Sequence, residues 1–328
     1  MQVVILNHSE VELLLPMYEC IEVMEKALVR LSKGQVHQPL RSLVSTPKSS
    51  GLLGMMPGWD SDGEQSFYGL KEVCVFPDNP SRGLDSHLGA VLLHDGTTGE
   101  LLVIANASAI TAIRTAAVSA VATRALARPG STVLLIVGTG VQARSHLESL
   151  SHVMNLEEVR VVGRNLERAE KFASELADSR FPCHPMASVE DALKGSDVIV
   201  TATSSREPVL RGAWLEPGMH LNLVGSSVKG SREVDGPAIA AGRLFVDRRE
   251  STENESGDFL SAVAEGAIGL DHIVAELGDV LAGGECGRES EEEITIFKSL
   301  GLAIEDLASA EHLLMKARAS GKGTLVDF

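Results

Sequence analysis

Residues 132–143 read TVLLIVGTGVQA, an apolar run that ends in a glycine turn and opens into a helix-like segment. Thr132 to Val137 is short and almost wholly apolar, as a strand buried on both faces of a parallel sheet should be. Gly138 permits the tight turn after such a strand. Gly140 lets the backbone approach a pyrophosphate, and Ala143 stands where a third glycine would let helix meet strand. The exposed amides and the positive end of the following helix then suit a diphosphate, with Thr139, Val141 and Gln142 in the same turn. A bare GxGxxA recurs in many strand-to-helix turns, so its place in the chain carries the weight. Here it follows the first strand of a βαβ alternation, which makes it a candidate dinucleotide site.

Outward from this turn the alternation continues. Val159 to Val162, Asp197 to Ala202, His220 to Val224 and Leu244 to Val246 are further short apolar runs, most of them separated by helical segments. This texture predicts a Rossmann-type, doubly wound parallel α/β domain over residues 119–301, beginning near the turn Arg128-Pro129-Gly130. Residues 1–118 read differently, as a mixed α+β domain. From 10 to 33 the apolar positions Leu13, Leu14, Met17, Cys20, Ile21, Met24 and Leu28 fall at helical spacing. Short runs at 41–45, 51–56, 68–76, 90–94 and 101–105, parted by Pro, Gly, Asn and Asp, predict a strand-rich sheet. The small-residue segment 108–126 predicts a helix bridging the two domains, and the C-terminal segment 302–328 a helix returning to the first domain.

Composition narrows the function classes. The 328 residues are 44% hydrophobic and 23% charged, with 31 Gly and 12 Pro spread along the chain, which rules out disordered and collagen-like readings. A formal charge of -16 argues against nucleic acid as a partner, because it would repel a phosphate backbone, while leaving room for one phosphorylated cofactor. Cys20, Cys74, Cys183 and Cys286 lie far apart, without the short pairings of metal or redox sites, and read as reduced thiols. The apolar start is too short for a signal peptide and no stretch reaches a membrane span of roughly 18 apolar residues, so a cytoplasmic protein is expected.

The second strand of the α/β domain selects the coenzyme. An NAD site usually ends this strand in an acid that accepts from the ribose hydroxyls, whereas an adenosine 2′-phosphate calls for a cation. Val161-Val162 runs into Gly163-Arg164-Asn165, with Arg168 one turn on and no carboxylate at the critical turn. Arg164 can form a two-pronged contact with phosphate and Asn165 can donate, so NADPH is favoured, with NADH as the other option. Thr201-Ala202-Thr203, at a strand end, fits the crevice where the nicotinamide half would lie.

Three further stretches, together with the glycine turn, carry a resemblance. Gly69-Leu70-Lys71, Ala112-Ile113-Arg114-Thr115-Ala116-Ala117, the glycine turn, and Phe297-Lys298-Ser299-Leu300-Gly301 with Glu305-Asp306 occur in an order and spacing similar to the ornithine cyclodeaminase and μ-crystallin family. The match runs over most of the chain. It implies that the 1–118 domain binds substrate and forms a homodimer through its sheet, with chemistry at a C=N carbon next to a carboxylate: Arg41 and Arg114 to bind the carboxylate, Lys71 near the imine nitrogen. Thr115, Val224, Gly225 and Leu300 join the cofactor candidates on the same basis. Cyclodeaminases of this family carry an aspartate shortly after the fifth Rossmann strand, where this chain has Ser227. A serine cannot act as an ionised base at neutral pH without an activating partner. The acid expected just before the Met-Pro pair is also missing, the run being Gly54-Met55-Met56-Pro57. The resemblance therefore implies an NADPH-dependent ketimine reductase, Ser227 included among its catalytic residues. The alternatives are an ornithine cyclodeaminase, an alanine-dehydrogenase-like enzyme, or a non-catalytic NADPH-binding protein. Three other features read less specifically: His87 on a loop near the substrate, Met55-Met56 as core or pocket wall, and Glu291 to Glu293 as a solvated face.

Overall fold

The computed structural model describes residues 2–47, 51–176 and 181–328. In chain order the first part contains β1 (Gln2–Leu6), α1 (His8–Leu14), α2 (Met17–Ser32), β2 (Val36–His37), β3 (Ser42–Ser45), β4 (Leu52–Ser61), β5 (Ser66–Val75), β6 (His87–Asp95), β7 (Leu101–Asn106) and α3 (Ala107–Leu126). Then come β8 (Val133–Val137), α4 (Val141–Val153), β9 (Glu158–Val162), α5 (Leu166–Ser174), β10 (Cys183–Met186), α6 (Val189–Leu193), β11 (Val198–Thr201) and β12 (His220–Leu223). The chain closes with α7 (Gly236–Ala240), β13 (Arg243–Val246), α8 (Arg249–Glu255), α9 (Gly257–Ala264), β14 (Ile273–Glu276), α10 (Leu277–Leu281), β15 (Thr295–Lys298), α11 (Ala303–Ser320) and β16 (Thr324–Asp327). Two compact units emerge, Met1–Arg114 with Leu302–Phe328, and Thr115–Gly301.

The first unit is a mixed sheet in the order β16-β1-β7-β6-β5-β4-β2, with β3 paired on β4. β1 runs parallel to β7 and the other pairs are antiparallel. Helix α11 lies against β4, β5, β6 and β7 and against α2. Two glycines explain how closely it seats. Gly58 and Gly69 oppose one another on β4 and β5. A Cβ on Gly69 would stand 2.5 Å from Leu307 Cγ, and one on Gly58 3.3 Å from the Ala303 Cβ. Side chains there would push the helix off the sheet.

The helical stretch at 10–33 is two helices rather than one run. Pro16 lacks an amide proton and disfavours helical backbone at Leu15, so α1 stops and α2 restarts with Pro16 as its N-cap. The break resets the phase: Leu13, expected on the buried side, is 59% exposed, whereas Leu14, Met17, Cys20, Ile21, Met24 and Leu28 are buried. The apolar patterning does not mark β1, β2, β10, β14, β15 or β16 as strands.

The second unit is an eight-stranded, wholly parallel sheet in the order β10-β9-β8-β11-β12-β15-β13-β14. Its first five strands in space keep the 3-2-1-4-5 order of a doubly wound nucleotide-binding fold. β8 is wholly apolar, and β11 and β12 are buried at every position, His220 and Asn222 of β12 included. Helix α3 meets the length and hydropathy of a membrane span, contrary to expectation, because its alanines and valines score as apolar; 72% of that window is buried inside the protein. Of the acidic run, Glu291 and Glu292 are exposed, but Glu293 turns inward, 3.2 Å from Arg243.

Candidate functional site

In the first unit the sheet builds a row of opposed residues, Met56, Lys71, Val91 and Ala105, across β4, β5, β6 and β7. Opposed residues share a face, and all four are buried. Lys71 is thus a cation set into an apolar row. Its partner comes from the other end of the chain: Nζ donates to Asp306 Oδ1 at 2.9 Å, in the first turn of α11. Arg114 on α3 meets the same helix, with Nε donating to Asp306 Oδ1 at 3.1 Å and Nη1 to Glu305 Oε2 at 2.6 Å. Two cations and two carboxylates therefore balance in a place where none is more than 4% exposed. Removing one member of such a set strands a buried charge, at a cost of about 3–5 kcal/mol.

The α11 N-terminus is well suited to this duty. Its positive end favours the carboxylates of Glu305 and Asp306. The N-cap Leu302 offers no side-chain acceptor, and Gln38 Oε1 instead accepts from the Ile304 amide at 2.9 Å. Burial brings the Lys71 ammonium down to about 8, against the opposing pull of Asp306 and with the help of Arg114. The group stays mostly protonated at neutral pH yet gives its proton up readily. Asp306 is the single bonded partner of Nζ among the described residues, so two of the three N–H donors of Lys71 remain for another acceptor. Among the sequence candidates, the structure joins Lys71 and Arg114 through Asp306. Arg41 is half-buried just before β3, whose Ser42 opposes Met55.

His87 stands on the first residue of β6, not on a loop. Its Nδ1 lies 3.0 Å from Ser86 Oγ. Although the residue is open to solvent on one side, dehydration of its ring, together with the nearby Lys71 and Arg114 cations, lowers its pKa to about 4. The imidazole is neutral at physiological pH. Met56 belongs to the core and Met55 is half-buried.

In the second unit the glycine turn has the properties a dinucleotide needs. Gly138 has a φ of +136°, and a Cβ there would strike the Ala202 carbonyl at 2.5 Å. Gly140 is the N-cap of α4, without any side-chain cap, and a Cβ on it would meet nothing within 4 Å. The turn is thus open beside Gly140, Val141 is 60% exposed, and Ala143 is buried where helix meets sheet. At the end of β9, the Arg164 and Arg168 side chains are exposed and have no hydrogen-bonded or ionic partner among the described residues. Asn165 caps α5, its Oδ1 accepting from the Arg168 amide at 3.1 Å, which leaves its amide nitrogen as the donor. Thr139, Gln142, Ala202, Thr203, Val224, Gly225 and Ser227 are half-buried around these strand ends, while Thr115 on α3 and Leu300 are buried. Leu300 and Gly301 donate their amides to Asp247 Oδ2 at 2.5 and 2.8 Å.

One candidate needs correction. Thr201 is fully buried, and its hydroxyl donates to Glu233 Oε2 at 2.7 Å, so it supports the strand end instead of lining it. Sequence reading gave no role to Glu233, Asp247, Glu305 or Asp306. All four are acids fully buried in the fold, and each has at least one partner more than 30 residues away in sequence, which no local pattern signals. Ser226, beside Ser227, holds a left-handed φ of +61°, fixed by its hydroxyl donating to the Ser231 carbonyl at 2.6 Å and accepting from the Asp258 amide at 3.0 Å.

Against known proteins, residues 1–321 match the ornithine cyclodeaminase/mu-crystallin family. Ketimine reductase mu-crystallin of Mus musculus is 41% identical over 305 residues, which cover 92% of this chain and 93% of the mouse protein. The structure of Thermococcus litoralis Delta(1)-pyrroline-2-carboxylate reductase in complex with NADH and L-proline superposes with a TM-score of 0.94 at 39% identity, covering 98% of this chain and 99% of that one. An archaeal alanine dehydrogenase, solved as a dimer with bound NAD, superposes with the same TM-score of 0.94 at 34% identity over the whole of both chains.

Proposed function

Because this chain belongs to the ornithine cyclodeaminase/mu-crystallin family, we propose that it is a nicotinamide-dependent reductase that converts α-imino carboxylates to L-amino acids. Cyclic ketimines such as Δ1-pyrroline-2-carboxylate and Δ1-piperideine-2-carboxylate are its substrate class. The observation that carries this reading is the buried set of Lys71, Arg114, Glu305 and Asp306. Asp306 and Glu305 lock the Arg114 guanidinium in one plane, the requirement for gripping a carboxylate by parallel charge-assisted bonds. Arg41 supplies the second cation for that carboxylate. Lys71, with N–H donors to spare and its pKa lowered to about 8, hydrogen-bonds the imine nitrogen and keeps it protonated, which makes the adjacent carbon electrophilic. His87, neutral at working pH, adds no charge of its own beside the substrate.

The open turn at Gly140, the N-cap of α4, fits a dinucleotide's diphosphate, and the unpartnered Arg164 and Arg168 fit an adenosine 2′-phosphate, so NADPH is preferred over NADH. When bound, the reduced coenzyme supplies the hydride that the C=N carbon accepts. Thr139, Gln142, Ala202, Thr203, Val224, Gly225 and Leu300 complete its binding surface. Ser227 acts as an uncharged hydrogen-bonding group, and the lack of a carboxylate there disfavours the ring-closing cyclodeaminase reaction. A homodimeric, cytoplasmic enzyme goes with this reading.

A panel of ketimines and amino acids, assayed with both coenzymes, tests it. The expected outcome is oxidation of NADPH, and more slowly of NADH, with a cyclic ketimine, and no ammonia from ornithine. Ammonia released from ornithine without net coenzyme turnover, or a silent panel, would contradict it.

A further inference from the structure

The ends of β11 and β12 are tied together by one carboxylate to which sequence reading gave no role. Glu233 is fully buried. Its Oε2 accepts from the Thr201 hydroxyl at 2.7 Å and from the Gly225 amide at 2.8 Å, and its Oε1 accepts from the Thr203 amide at 2.6 Å. Thr201 and Thr203 belong to the end of β11 and Gly225 to the turn after β12, so one side chain fixes the spacing of two neighbouring strand exits. Gly225 makes this possible, since a Cβ there would stand 2.5 Å from the Glu233 carboxyl carbon. Glu233 is itself held: its amide and that of Val234 donate to Asp258 Oδ1 at 2.7 and 3.1 Å. Asp258 lies 3.3 Å from Lys298 Nζ, which donates in turn to the carbonyls of Leu223 and Gly225.

We infer that Glu233 is a positioning residue for the nicotinamide half of the coenzyme. It sets the distance between the Ala202-Thr203 and Val224-Gly225 backbones without touching the ligand. In a parallel α/β sheet, ligands bind outside the carboxyl ends of the strands, and β11 and β12 are the fourth and fifth strands from the β10 edge, beyond the diphosphate turn of β8. A glutamine at this position keeps the shape but presents its NH2 to an amide that has to donate, so one strand exit loses its acceptor and moves. This inference rests on the proposed coenzyme reading.

The test compares Kd values of wild type, Glu233→Gln, Thr201→Val and Asp197→Asn for NADPH and for 2′,5′-ADP, which lacks the nicotinamide. Asp197 is the control, because it accepts from the Thr132 and Val133 amides at the opposite end of the same sheet. Expected results are a roughly tenfold weaker NADPH Kd in Glu233→Gln and a smaller weakening in Thr201→Val, which deletes a single hydrogen bond. The 2′,5′-ADP Kd should be unchanged in both, and both Kd values unchanged in Asp197→Asn. Thr201→Val keeps the test decisive should the glutamine variant fail to fold. Equal weakening of both ligands, or NADPH binding as in wild type, would overturn the inference while leaving the coenzyme reading standing. Failure of the wild type to bind NADPH or NADH would overturn both.

Discussion

Lys71 is a base held almost entirely out of water, and its behaviour follows from what surrounds it. Burial favours the neutral amine, while Asp306, 2.9 Å away, favours the ammonium, and the balance falls near 8. Because the proposed reaction needs the proton on Lys71 or on the imine it contacts, kcat/KM should be flat at neutral pH and decline above about 8. Replacing Asp306 by Asn removes the group that holds the pKa up, so that decline should move to lower pH; a profile identical to wild type would count against the pairing. Lys71→Met should lower kcat by about 10²–10⁴-fold, the usual worth of a positioned acid, with coenzyme affinity unchanged. His87 should leave no inflection near 6.5, since its pKa lies near 4. Lys71 and Arg114 were legible in the sequence only through the motifs around them; taken alone, each reads equally well as a surface charge. Glu305 and Asp306 could be quoted but not interpreted, because an acid in a helical first turn is ordinary until one sees which cations it faces.

Among the elements, α11 decides whether the charged set forms. Its first turn carries both carboxylates, and its seat on the sheet depends on the paired glycines of β4 and β5. Gly69→Ala would place a methyl group 2.5 Å from Leu307 Cγ in a buried contact, and overpacking of that kind costs about 1–3 kcal/mol. The urea midpoint should fall accordingly, and kcat should fall several-fold while the NADPH Kd stays unchanged. A variant as stable and active as wild type would show that the helix tolerates displacement. Helix α3 was readable from its run of small, helix-favouring residues, and α11, with its return to the first domain, and the longer strands were expected too. The strands on which α11 seats were not legible, because residues 303–320 and strands β4 and β5 are joined by no local signal. Missed features have local causes too: Pro16 shifts the phase of α2, and β10 carries His184 and Pro185 inside it.

At the scale of the molecule, each sheet was legible in five of its eight strands. In the parallel sheet β8, β9, β11, β12 and β13 could be read, because strands buried on both faces are mostly apolar and the glycine turn marks the first, while β10, β14 and β15 could not. The mixed sheet alternates, and its strands β1 and β16 come from opposite ends of the chain. On the proposed reading, the first unit supplies a carboxylate grip with a proton donor, and the second a diphosphate turn with a cationic rim. The most direct measurement of that reaction is the fate of the transferred hydrogen. With NADPH deuterated at C4 on the transferred face and Δ1-piperideine-2-carboxylate as substrate, nuclear magnetic resonance of the product should show a single deuterium at the α carbon of an L-amino acid. An α carbon bearing only protium, or no amino acid formed at all, would contradict the account.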